Sequence, residues 1–147
     1  MILDVSIALA VLGVGAVTLL PIADYHTGIE WGLQLVPLVS IIDVVTTSVD
    51  ASVAVRIVLF NILLFVPLGF LLALRTRRWM TTLGAAFLVA GSVETLQAVL
   101  PLGRTANVDD IILNTAGAAV GWGLATAAGW IWPLHLGRDE RADTSHH

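Results

Sequence analysis

The chain contains no cysteine and no lysine among its 147 residues. The missing cysteine excludes a disulfide framework, a thiol nucleophile and any Cys-ligated zinc or iron site. All seven basic residues are arginine, which with the abundance of Ala, Val and Gly is the compositional mark of a GC-rich bacterial genome. Charge of either sign is scarce: 12% of residues are charged and 57% are hydrophobic, far from the composition of a soluble globular domain. The formal net charge of −4 leaves no electrostatic basis for binding nucleic acid. What remains is a chain suited to a lipid bilayer.

Four apolar stretches are long enough to cross a hydrocarbon core of about 30 Å, which needs roughly 20 helical residues. They run over Leu3 to Ile22, Ser52 to Leu74, Met80 to Leu100 and Asp110 to Trp132. The first lacks a basic leading region and a small-residue cleavage site, so it reads as a retained helix and not a removed signal. The expected fold is therefore an all-α integral membrane bundle of four transmembrane helices, forming a single domain over residues 1–136. A polar tail over 137–147 follows, with a composition that favours disorder.

The arginines orient the bundle. Arg75, Arg77 and Arg78 lie between spans two and three, and Arg138 and Arg141 follow span four, so one side collects most of the positive charge. That side is expected to be cytoplasmic, with both termini on it, in a multi-pass protein of the bacterial cytoplasmic membrane. Trp79, Trp130 and Trp132 fall near the same ends of spans three and four, where indole rings anchor at headgroup level. The opposite side carries Arg56 and Arg104 together with Asp24, Glu30, Asp43, Asp50, Asp109 and Asp110.

The connection from Ala23 to Asp50 is too apolar to be simply solvated. From Leu38 onward Leu38, Ile41, Ile42, Val45 and Val49 recur at helical spacing, with Ser40, Asp43, Thr47 and Asp50 among the polar positions. This predicts an interfacial or re-entrant helical segment between spans one and two, with Pro37 in its first turn. It serves either as a shield over helix ends or as the closing wall of a headgroup-level pocket.

Polar groups inside the spans are expensive and mark working sites. Asn61 lies about nine residues into span two, roughly 13 Å at the usual rise. Glu94 lies roughly 9 Å below the outer end of span three, with Gln97 a turn higher on the same face. Asn114 is one turn into span four and shares a face with Asp110. All of these belong to the outer half of the membrane, so a site opening outward fits better than a pore.

Structural roles compete with this reading. Asn107 followed by Val108, Asp109 and Asp110 has the pattern of a helix start, with Asn107 as N-cap and acids at the positive end of the helix dipole. Asn61 and Asn114 are also suited to hydrogen bonding between helices. A carboxylate as deep as Glu94 must be protonated, paired with Arg104 or Arg56, or bound to a metal. Gly117, Gly121 and Gly123, with Ala116, Ala118 and Ala119, predict a small-residue face on span four for close packing within the molecule. Pro67 withholds one backbone N–H in mid-span two and predicts a kink.

Three blocks carry a family resemblance: Asn61-Ile-Leu-Leu-Phe65-Val-Pro67-Leu-Gly69-Phe70, Glu94-Thr-Leu-Gln97, and Arg104-Thr-Ala-Asn107-Val-Asp109-Asp110-Ile-Ile-Leu-Asn114-Thr-Ala-Gly117. From about Gln34 to Gly123 the chain resembles the VanZ-like family of bacterial membrane proteins. The founding member of that family is associated with teicoplanin resistance. The sequence departs from the family at Gln34-Leu-Val-Pro37-Leu38, where an Asn-Leu-Ile-Pro-Phe block is common, and at Asn107, where an aspartate is usual. The second departure removes a carboxylate from a metal site that would need all three acids.

The resemblance and the polar cluster together imply a role in the cell envelope, lowering susceptibility to glycopeptide or lipoglycopeptide antibiotics. In the enzymatic form of this expectation, Glu94 or Asp110 acts as general base while Arg104 holds phosphate, on an outer-leaflet lipid or a polyprenyl-linked cell-wall precursor. Asn61, Gln97, Thr105, Asp109 and Asn114 complete the ligand-binding set. If a metal takes part, Glu94, Asp109 and Asp110 are its ligands, and oxygen donors favour magnesium, calcium or manganese over zinc. The alternatives are a non-catalytic binder of such a lipid or antibiotic and a structural or assembly protein whose polar groups fix the bundle.

Overall fold

The computed structural model of the protein describes residues 1–19, 33–39, 42, 46, 51–100 and 106–131. Four long helices dominate: α1 (Ile2–Leu19), α2 (Ala51–Thr76), α3 (Trp79–Val99) and α4 (Val108–Ile131). Each contains a stretch long and apolar enough to span a membrane. Two short strands, β1 (Leu33–Gln34) and β2 (Ala106–Asn107), pair in parallel, with Leu33 opposite Ala106 and Gln34 opposite Asn107. The expected all-α bundle of four spans is the fold that forms.

The bundle closes around Phe65 and Leu68 of α2, Ala86, Ala90 and Val93 of α3, Ala118 of α4 and Val14 of α1. Most large apolar side chains instead point outward, among them Leu9, Leu12, Phe60, Leu63, Phe87 and Leu88. In water this would be a liability; in a bilayer such side chains meet acyl chains of equal polarity, and helix association relies on close packing instead.

That packing is tightest between α2 and α4. A Cβ added to Gly117 would strike the carbonyl of Ile62, one at Gly121 that of Val66, and one at Gly69 the backbone of Ala118. The two helices run in the same direction, and the repeat of four on one matches the repeat of four on the other. The small-residue face is narrower than the sequence suggests, because Gly123 has open space around it and Ala116 and Ala119 are exposed. Helix α2 continues unbroken through Pro67, whose ring lies on the exposed side while the neighbouring Leu68 and Gly69 are buried.

Two residues, Arg77 and Arg78, join α2 to α3, with Arg77 in the left-handed region at φ 51°. The Thr76 hydroxyl donates to Leu72 O (3.0 Å), meets the Thr82 hydroxyl (3.0 Å) and accepts the Arg78 N–H (3.3 Å). At the same end Arg75 Nε donates to Asp4 Oδ1 at 2.9 Å, and Asp4 also takes the N-terminal ammonium at 3.0 Å. The start of α1 and the α2–α3 turn therefore share one end of the bundle, as the alternating topology requires. Arg138, Arg141 and Trp132 lie outside the described residues, as does the 137–147 tail.

The segment before α2 differs from expectation in one respect. Leu38 adopts φ 67°, which a right-handed helix cannot contain, so helical residues begin at Val39 and Pro37 sits in a preceding turn. Ile42 N–H donates to Leu38 O (2.9 Å) and Thr46 Oγ1 to Ile42 O (2.7 Å), the marks of helical turns there. Ser40, Ile41, Asp43, Val45, Thr47, Val49 and Asp50 lie outside the described residues.

Candidate functional site

The polar site forms where α4 begins, at the end of the bundle opposite the α2–α3 turn. Asn107 caps α4 as its sequence pattern predicts: the side-chain Oδ1 accepts the Asp109 N–H at 3.0 Å. In a capping box the third helical residue, here Asp110, would return to the N–H of the cap. Here that N–H is taken by Glu94 Oε2 from α3, at 2.7 Å. Glu94, 6% exposed, thus reaches a backbone donor at the positive end of the α4 dipole.

With Glu94 serving that N–H, the two aspartates act elsewhere. Asp109, 1% exposed, accepts the Leu38 N–H on Oδ1 at 2.5 Å and so ties the β1 segment to α4. This bond holds the left-handed Leu38, whose conformation costs about 1–2 kcal/mol in a residue with a Cβ. Asp110 Oδ1 accepts Asn61 Nδ2 at 3.0 Å, linking α4 to α2. Asn61 is well inside α2 by residue count, yet level with the first turn of α4. The reason is length: the 26 residues of α2 extend about 39 Å, more than the bilayer core, so its first turns rise beyond the start of α4.

One turn deeper on the face of α4 that carries Asp110, Asn114 is 2% exposed, and its Oδ1 has no hydrogen-bond partner among the described residues. Gln97, also buried, donates from Nε2 to Thr18 O of α1 at 2.9 Å. Thr18 was not singled out by sequence, although it is the only polar side chain in the second half of α1 and that isolation is a usable signal. Its own hydroxyl donates to Val14 O at 2.7 Å.

The structure therefore brings together Asn61, Glu94, Asp109, Asp110 and Asn114 around one helix start, with Gln97 a turn from Glu94 on α3 and bonded to α1. Arg104 and Thr105 lie outside the described residues. Arg56 is exposed, and its guanidinium bonds Ser52 O (3.1 Å) and Ser52 Oγ (2.8 Å) within its own helix. Among the described residues no group of three or more His, Asp or Glu side chains is placed to hold a metal ion. The three acids divide instead among two backbone N–H groups and a carboxamide. Chemically the site combines hydrogen-bond acceptors with a carboxylate–carboxamide pair, suited to receiving donor groups of a ligand or to accepting a proton.

Four membrane-length helices, with buried carboxylates gathered at one end of the bundle, define a multi-pass membrane protein with a single-ended polar site. The chain belongs to the VanZ/LLP1 family, whose model matches residues 7–131. The match takes in α1 from Ile7 onward, the whole of the other three helices and every polar residue of the site. No curated protein and no solved structure matches the chain.

Proposed function

We propose that this protein works in the bacterial cytoplasmic membrane, with both termini in the cytoplasm, and lowers susceptibility to glycopeptide or lipoglycopeptide antibiotics. It does so by modifying an outer-leaflet lipid or a lipid-linked cell-wall precursor at the polar end of the bundle. The observation that carries this reading is the Asn61–Asp110 pair joining α2 to α4, with the buried Asn114 oxygen a turn deeper. The arginine-rich turn at the other end supports the orientation through the positive-inside rule. Asp110 is the general base in this reading, Glu94 holds the helix start on which Asp110 stands, and Arg104 supplies a phosphate fork. A divalent cation such as magnesium or calcium would act with the substrate phosphate, since such ions commonly take only one or two protein carboxylates.

The test is mass spectrometry of polyprenyl-phosphate-linked precursors and phospholipids incubated with wild type and with Asp110→Asn, with and without magnesium. A mass change made by wild type alone supports an enzyme acting at this site. If both proteins leave every lipid unchanged while conferring equal resistance on a susceptible host, the reading is wrong.

A second reading, non-catalytic binding or assembly, is favoured by one set of contacts. Glu94, Asp109 and Gln97 each bond the backbone of another element, as groups that fix a bundle do. As a binder, wild type retains a lipid or antibiotic unchanged in mass and Asp110→Asn loses that ligand; as an assembly protein, wild type retains neither.

A further inference from the structure

At the end of the bundle away from the polar site, α3 and α4 leave a cleft of about 350 Å3, lined by Trp79 and Leu83 on one wall and Ala119 and Trp122 on the other. The lining is wholly apolar. The two helices run antiparallel from the Glu94–Asn107 contact, and equal lengths of each lead to Trp79 and Trp122. Leu83 and Ala119 lie a turn deeper, so the cleft extends from the level of the two tryptophans toward the middle of the bundle.

Arg78 immediately precedes Trp79, and the tight turn at Arg77 keeps both cations beside the first turn of α3. Arg77 and Arg78 are exposed and form no ion pair among the described residues, whereas Arg75 is engaged by Asp4. An apolar cleft alone selects nothing in a bilayer, because the surrounding chains are as apolar as its walls. The headgroup decides, and each arginine near the membrane surface favours an anionic lipid about fivefold, roughly 30-fold for two. We infer that this cleft holds an acyl chain of an anionic phospholipid whose phosphate sits on Arg77 and Arg78. The site is separate from the polar cluster and does not rest on the function proposed for it.

Native mass spectrometry of the full chain, released from micelles containing equimolar phosphatidylglycerol and phosphatidylcholine, tests the inference. Wild type is expected to retain phosphatidylglycerol about 30-fold over phosphatidylcholine. The R77Q/R78Q double variant should lose that preference. A119F, which places a ring in the cleft from an exposed position outside the core, should lose most of the bound lipid. If A119F aggregates, L83W blocks the cleft from the other wall and is held to the same expectation. Equal retention of both lipids by wild type, the behaviour of a non-selective lipid annulus, overturns the inference. So does a folded cleft-blocking variant that binds phosphatidylglycerol as wild type does, because the headgroup alone would then suffice.

Discussion

Glu94 Oε2 accepts the backbone N–H of Asn107 at 2.7 Å, so a side chain of α3 completes the N-terminal cap of α4. This contact helps a carboxylate to be tolerated deep in an apolar bundle: it meets a backbone donor at the positive end of a helix dipole. It also leaves Asp110, at the position a capping box would use, to join Asn61.

Glu94→Gln keeps an oxygen that can accept the Asn107 N–H, whereas Glu94→Leu leaves that N–H without its acceptor. Leu should therefore cost about 2 kcal/mol of stability and Gln less than about half of that. Thermal unfolding of the purified variants in detergent checks this, and equal losses for Gln and Leu would contradict the cap.

Asn61→Ala and Asp110→Ala, singly and together, form a double-mutant cycle across α2 and α4. A coupling of about 0.6 kcal/mol, and no more than about 1.7, is expected for one interhelical hydrogen bond in a membrane protein. Additive losses would mean that the two side chains act separately.

Gly117→Leu and Gly121→Leu place side chains where the α2 backbone already stands. Overpacking of this kind costs about 1–3 kcal/mol or more, and loss of a monodisperse peak on gel filtration is the expected sign. Gly123→Ala, in open space, should be neutral or stabilise by up to about 1 kcal/mol through helix propensity. A Gly117 variant as stable as the Gly123 variant would refute the close α2–α4 contact.

Asn114→Leu removes a buried oxygen with no partner among the described residues, so it should leave the melting temperature unchanged or raise it. A loss of about 2 kcal/mol in the same melting experiment would show instead that a bound water or ligand satisfies that oxygen.

Much of this molecule can be read from its residues. The four spans follow from apolar runs of sufficient length, because bilayer thickness is an external ruler that does not depend on tertiary contacts. The Asn107 cap is legible as well, since capping is a local hydrogen bond within a few residues. Gly123 misled because helical spacing defines a candidate face but not its edges, which depend on where the neighbouring helix crosses. The placement of Pro37 in the first helical turn failed for a related reason. A bond from Leu38 N–H to Asp109, 71 residues away, turns the chain before the helix can start.

The sequence by itself determined that the chain spans a membrane four times, that its charges divide between the two ends, and that its polar groups gather at one level. Period, length and local capping are properties of short stretches, and short stretches carry them. Only the tertiary structure decided which partner each polar group takes: Glu94 with the Asn107 backbone, Asp109 with Leu38, Asp110 with Asn61, Gln97 with Thr18. Those pairings depend on the relative heights of packed helices, and the close α2–α4 contact at Gly117 and Gly121 sets how two of those helices sit against each other.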